Sequence, residues 1–255
     1  MTKDNNAHIN MYNREANRDN DIDKDIDKDI DKDIDNDMDN DIDNDMEMDK
    51  NMNNEKNLYD KKKIIYKDKN IVIREVSLMD APELVEVYRP YVEKTAITFE
   101  YEVPSVEEFT DRIKNISAKY PYLVVEQDGR IIGYAYTSAF HVRKAYEWSA
   151  EMSIYLSDRC KGLGLGRKLY EILEEISYKQ GITNLYACIG APEKEDEYLT
   201  NNSINFHDHM GYKLIGRFTR CGYKFSRWYD MVWMEKIIAQ HQTDAKDIIP
   251  YPMLN

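Results

Sequence analysis

The chain has 255 residues and a formal net charge of −13, enough length for one or two domains. Residues 1–58 hold 19 Asp and Glu against 8 Lys and Arg, a net of −11, so the remainder carries about −2 and the acidity says little about the partners of the folded part. No segment is apolar for long enough to cross a bilayer, the polar acidic N-terminus is not a secretory signal, and three cysteines without Cys-x-x-Cys spacing (Cys160, Cys188, Cys221) argue against a disulfide framework and a zinc site.

Residues 1–58 repeat Asp at nearly every second position. Asp is poor in helix and in strand, and the spaced Ile and Met cannot offset the entropy of ordering. This segment is expected to be a disordered, low-complexity arm. A calcium loop is the sharper alternative, but counted from Asp37 the required Gly and Glu positions hold Ile42 and Met48. A domain is expected over 59–238 and an irregular tail over 239–255.

Lys61 to Asn70 is polar. I-V-I-R-E-V from Ile71 predicts a strand. D-A-P-E-L-V-E-V-Y predicts a helix with Asp80 as N-cap, Pro82 in the first turn and Pro90 as its end. Ser105-Val-Glu-Glu is a capping box opening a helix to about Ala118. Y-L-V-V-E and I-I-G-Y-A-Y-T-S, joined by Q-D-G-R, predict a hairpin. E-W-S-A-E-M-S-I-Y-L-S predicts a strand that sets Glu151, Ser153 and Tyr155 on one face and Ala150, Met152, Ile154 and Leu156 on the other. After a glycine-rich stretch come a helix over about Leu165–Lys179, the strand N-L-Y-A-C-I, a short helix ending at Gly211, and the strands Y-K-L-I-G-R-F and W-Y-D-M-V-W-M-E. The order β-α-α-β-β-β-α-β-α-β-β defines a mixed α/β domain.

The glycine stretch R-C-K-G-L-G-L-G-R-K lies between a strand and a helix N-terminus. Free backbone N–H groups and the positive end of the helix dipole suit a phosphate or pyrophosphate there. The Walker string and the dinucleotide fingerprint are both absent. What remains, Lys161-Gly-Leu-Gly164-Leu-Gly166, resembles the Q/R-x-x-G-x-G/A signature of the GNAT acetyltransferases, with Lys161 in place of the usual Gln or Arg. T-A-I-T-F-E-Y-E-V-P (95–104), R-K-A-Y-E-W-S-A-E-M-S-I-Y-L (143–156), N-L-Y-A-C-I (184–189), S-I-N-F-H-D-H-M-G-Y (203–212) and G-Y-K-F-S-R-W-Y-D-M-V-W-M (222–234) are similar, in order, to the phosphinothricin N-acetyltransferase family. One extra segment stands near 193–199, and the arm lies outside the likeness.

The resemblance implies a GNAT fold, a mixed and largely antiparallel central sheet flanked by helices. It implies acetyl-CoA as cosubstrate and no metal. Glu151 would be the general base, and His207 a general acid toward the leaving thiolate or a structural histidine. Ile154 and Leu156 would offer backbone groups to the pantetheine arm. Gly162, Leu163, Gly164, Leu165, Gly166 and Arg167 would hold the pyrophosphate. Asn202 is a candidate for the pantetheine amides. Phe99, Arg143 and Tyr146 match acceptor-site positions, where a cationic Arg143 suits an α-carboxylate or phosphinate; Lys224 and Trp228 would complete that pocket. The expected activity is acetylation of the α-amine of a small amino acid or analogue, by direct attack in a ternary complex. Alternatives are a polyamine or protein N-terminus as acceptor, a non-catalytic acyl-CoA-binding module, and the arm as the functional part. The expected partners are a small amine and a second copy of the chain as homodimer, with neither nucleic acid nor membrane, in the cytoplasm.

Overall fold

The computed structural model describes residues 63–254. The acidic arm and its calcium alternative lie outside the described residues. Eight strands form one sheet: β1 (Ile64–Asp68), β2 (Ile71–Glu75), β3 (Tyr122–Gln127), β4 (Arg130–Ala139), β5 (Ser149–Leu156), β6 (Asn184–Ala191), β7 (Lys213–Lys224) and β8 (Arg227–Ile237). Their order is β1-β2-β3-β4-β5-β6-β8-β7. Every pairing is antiparallel except β5 with β6.

Strand alternation sends side chains into two layers. Leu123 and Val125 enter a core with Leu165, Leu169, Tyr170 and Leu173 of helix α3 (Leu165–Gln180). Tyr122 and Val124 enter the opposite core, with Leu84, Val87 and Tyr88 of α1 (Ala81–Lys94) and Phe109 and Ile113 of α2 (Val106–Ser117). Each large apolar side chain so buried stabilises the fold by about 1.5–3 kcal/mol. Tyrosines do much of the filling: the rings of Tyr88 and Tyr155 meet edge-on at 4.8 Å, and Tyr122 stacks on Tyr136 at 4.8 Å. The short helix α4 (Asn202–His209) follows β6, and Gly211 behind it adopts φ +90°, as a helix-ending glycine should.

Three sequence expectations change, and a fourth gains a feature. The polar stretch before Asn70 contains β1, whose ladder with β2 is made by backbone groups and needs no apolar alternation. Asp80 does not cap α1. Its Oδ2 accepts from the Ser77 N–H (2.7 Å) and the Arg74 guanidinium (2.7 Å), tying the preceding turn to β2. Ser105, by contrast, does cap α2, accepting from the Glu108 N–H. Pro90 does not end α1, which runs on to Lys94. The lost hydrogen bond is outweighed by burial beyond it, where Val92 is sealed in the core. The segment after Ile238 is irregular but docked. The Trp148 indole donates to the Lys246 carbonyl (2.7 Å), the Ile249 N–H to the Gln180 carbonyl (2.8 Å), and Ile248 is buried. Among the described residues no helix is long and apolar enough to cross a membrane.

Candidate active site

The site is a fork in the sheet. β5 and β6 pair only through Ser149–Asn184, Ala150–Leu185 and Glu151–Tyr186. Beyond that point the two strands run on unpaired, leaving backbone groups of β5 without a ladder partner on that side. Met152, Ser153, Ile154 and Tyr155 line the resulting cleft with Ala187, Cys188, Ile189 and Gly190, closed by Ile97, Tyr170, Ser203 and His207.

Glu151 is the last paired residue of β5, at the base of the fork. Its carboxylate has no hydrogen bond and no ion pair among the described residues, and burial alone pushes its pKa above the ordinary value. An uncompensated half-buried carboxylate costs free energy. Such a group is what a proton acceptor tuned toward neutral pH requires.

His207 is buried on α4. A carbonyl can only accept, so Nδ1–H donates to Ser203 O (2.7 Å) and Nε2 accepts from the Tyr170 hydroxyl (2.7 Å). Burial lowers its pKa to about 4, with the Ser203 bond opposing. His207 is therefore neutral at physiological pH with both nitrogens engaged. The expectation of an imidazole acid gives way to a hydroxyl–imidazole pair, in which Tyr170 carries the proton next to the cleft. Burial raises the Tyr170 pKa strongly, so its O–H is a hydrogen-bond donor and not a proton source. Sequence reading missed Tyr170 because a tyrosine on the inner face of α3 reads as core.

The glycine stretch has the expected geometry. Gly162 and Gly164 adopt φ +75° and +68° with open space where a Cβ would be, so their absence of a side chain serves the backbone conformation. α3 starts at Leu165 with no side-chain cap, leaving its first N–H groups free for an anion. Gly166 serves packing: a Cβ there would lie 3.3 Å from Phe206. Leu163 and Arg167 are exposed beside the loop, Leu165 is buried in the core, and Lys161 pairs with Asp158 (2.8 Å).

Ile154 lines the cleft as expected, whereas both backbone groups of Leu156 are occupied. The Tyr91 hydroxyl accepts from the Leu156 N–H (2.9 Å) and donates to its carbonyl (2.6 Å). Asn202 is exposed on the first turn of α4, and its neighbour Ser203 is the residue that reaches the cleft.

The residues expected to border the acceptor fall into two aromatic groups on the Glu151 face of the sheet. Tyr146 packs on Phe140 (centroids 6.0 Å apart), which stacks on Tyr186 (4.3 Å) and meets Trp233 (5.3 Å). Phe99 stacks on Tyr229 (6.5 Å) and lies flat on Gly222, where a Cβ would sit 2.3 Å from its ring. Arg143 is exposed just before a short turn, and its guanidinium has no partner among the described residues. Lys224 is buried and donates to Thr98 O (2.8 Å). Trp228 points away, packed on Tyr223 and 59% exposed, so it does not complete the pocket.

Residues 73–233 match the acetyltransferase (GNAT) domain. The chain is 30% identical over 166 residues to phosphinothricin N-acetyltransferase of Streptomyces viridochromogenes, covering 65% of this chain and 87% of that protein. It is 28% identical over 165 residues to the L-methionine sulfoximine/L-methionine sulfone acetyltransferase of Pseudomonas paraeruginosa, covering 64% and 92%. A phosphinothricin acetyltransferase from Sinorhizobium meliloti, crystallised in complex with AcCoA, superposes with a TM-score of 0.63 at 30% identity, over 72% of this chain and 99% of that one. The family match and these relatives define the chain as an acetyltransferase. The chain belongs to the GNAT family, and N-acetyltransferase activity follows from that membership.

Proposed function

We propose that the protein acetylates the α-amine of a small amino acid or analogue, such as phosphinothricin, methionine sulfoximine or methionine sulfone, with acetyl-CoA as donor. The observation that carries this is the unpartnered Glu151 carboxylate at the base of the fork. Acetyl-CoA supplies a thioester whose carbonyl carbon is open to attack by an amine. The glycine loop at 162–167 suits its pyrophosphate, and the unpaired backbone of β5 at Ile154 suits its pantetheine arm. Arg143, cationic and unpaired, draws the carboxylate of the acceptor. Glu151 takes the proton that the amine loses as its C–N bond forms. As the C–S bond breaks, the Tyr170 hydroxyl exchanges its hydrogen bond to His207 Nε2 for one to the thiolate, its single O–H serving one acceptor at a time.

The test is release of free CoA from acetyl-CoA with a panel of amines: phosphinothricin, methionine sulfone, common amino acids, spermidine and a peptide. Release with the phosphinate or sulfone amino acids, lost in Glu151→Gln, supports the reading. Release with spermidine or the peptide alone replaces the acceptor. Tight binding of acetyl-CoA without release under any condition makes the protein a binding module.

A further inference from the structure

Residues 193–199 lie between β6 and α4 and read E-K-E-D-E-Y-L, a composition expected of a solvated loop. The structure gives them a different character. Asp196 is saturated. Its Oδ1 accepts from the Tyr198 and Leu199 N–H groups (2.8 and 2.9 Å), closing the segment on itself. Its Oδ2 accepts from the Tyr229 hydroxyl (3.0 Å) and pairs with Arg227 (2.9 Å). Arg227 also grips Glu197 with both terminal nitrogens (2.8 Å each). The segment is thereby fastened to β8, at the tip of the β7–β8 hairpin.

From this fastening two routes lead to the acceptor side. Tyr229, buried, stacks on Phe99. Leu199 packs with Ala96, Phe99 and Tyr229 in a small core of its own. The Tyr198 carbonyl accepts from the Ala96 N–H (3.0 Å). Residues 95–101 form a strap laid over the sheet. The strap passes so close that a Cβ on Gly190 would lie 2.9 Å from Ala96 O, and Ile97 reaches the cleft itself. Its far side is held by Lys224 on Thr98 O. Asp196 is not among the residues that line the cleft, yet Tyr229 and Leu199, two of its partners, are what Phe99 and Ala96 rest on.

We propose that segment 193–199 is a clasp that sets the acceptor side of the site, with Asp196 as a positioning residue acting through Tyr229 and Leu199 on Phe99 and the strap 95–101. The inference rests on the reading that Phe99 borders the amine-acceptor site. None of the hydrogen bonds or ion pairs of Asp196 reaches the glycine loop or α3, so its loss is expected to act on the amine side and not on the donor side.

The variant is Asp196→Asn in the full chain. Asparagine retains an oxygen for the two backbone N–H groups, while its amide nitrogen can neither accept from Tyr229 nor pair with Arg227. Tyr229→Phe removes the same hydrogen bond from the other side. With the best amine found in the panel, both variants are expected to raise the amine KM about tenfold, in line with couplings inside one hydrogen-bonded network. The acetyl-CoA KM stays within about twofold, and the double variant is no worse than the single ones. Amide hydrogen exchange is expected to quicken in 95–101 and stay unchanged in 162–170. Equal rises in both KM values, or no change in either with unaltered exchange, overturns the proposal. If the wild-type protein turns over no amine, the functional reading fails by itself. The exchange measurement then decides the clasp: slow exchange in 95–101 retained in Asp196→Asn removes it.

Discussion

Glu151 shows two opposed consequences of one environment. The cleft that desolvates its carboxylate raises the pKa toward the working range of a base, and the same desolvation destabilises the charged fold. Glu151→Gln is therefore expected to lower kcat/KM by about 10²–10⁴. It should also raise Tm, because the variant removes a desolvated charge. The pH profile carries the same sign: kcat/KM rises as Glu151 loses its proton, at a pH above the ordinary carboxylate range, and that limb disappears in the variant. The stability effect is its mirror image. The folded state binds the proton more tightly than the unfolded chain, so stability falls as pH rises from the ordinary value through the raised one. A Tm that drops in Glu151→Gln would refute the absence of a partner. His207 titrates in the other direction. Its folded pKa of about 4 lies below the unfolded value of 6.5. Its contribution is complete above pH 6.5 and is lost as pH falls toward 4, because the unfolded chain takes the proton first. Denaturation midpoints measured from pH 7 to 4 should fall less steeply in His207→Asn than in the wild type. Neither the pair Tyr170–His207 nor the tautomer was legible in the sequence. A helix of period 3.6 marks Tyr170 as inward-facing but does not say that α4 will deliver an imidazole to its hydroxyl.

At the scale of elements, the glycine loop was the most legible feature, because φ angles above zero leave a direct mark on residue choice. Gly162 and Gly164 carry that mark and Gly166 does not: a Cβ there would press on the Phe206 ring at 3.3 Å, a long-range contact that no local pattern encodes. Gly164→Ala separates backbone from space. Nothing lies within 4 Å of the added Cβ, so the cost is the left-handed conformation itself, about 1–2 kcal/mol. If the loop relaxes to avoid that strain, its N–H groups leave the anion. The dissociation constant for acetyl-CoA, measured by calorimetry, should rise about tenfold; unchanged affinity would mean that the loop does not hold the pyrophosphate. The strands β2 to β8 were legible for a similar reason, since alternation and turn residues are local signals. β1 was not, because an edge strand held by backbone hydrogen bonds imposes little on its side chains. Pro90 misled because the local rule against proline was overridden by the burial of Val92 two residues further on.

Over the whole molecule, the fork needs a closed end as much as an open one. Past Glu151 the strands separate; before it, they are held by the Trp148 carbonyl, which accepts from the Thr183 and Asn184 N–H groups (2.9 and 3.2 Å). The C-terminal segment docks at this end. Lys246 O receives the Trp148 indole, and His241 meets Asn184 Oδ1 (2.6 Å). The Tyr251 N–H donates to Lys119 O (2.9 Å), and its hydroxyl donates to Glu75 (2.5 Å). The segment has no period, and its partners are scattered along the chain from Glu75 to Asn184, so the sequence marked it as an irregular tail without showing where it docks. Its hydrogen bonds and the burial of Ile248 act as a clamp across the paired ends of β5 and β6. Removing residues 239–255 exposes Ile248's site and the Trp148 indole together, a loss of at least about 3 kcal/mol from one buried aliphatic side chain and several hydrogen bonds. Tm should fall by ~6–12 °C, and acrylamide should quench tryptophan fluorescence more strongly in the truncated chain than in the full one. A truncated protein that keeps its Tm would show that the sheet closes the fork unaided. One that loses stability and also loses affinity for acetyl-CoA, whose proposed loop lies at the opposite end of β5, would show that spacing at the mouth is set by the clamp at the base.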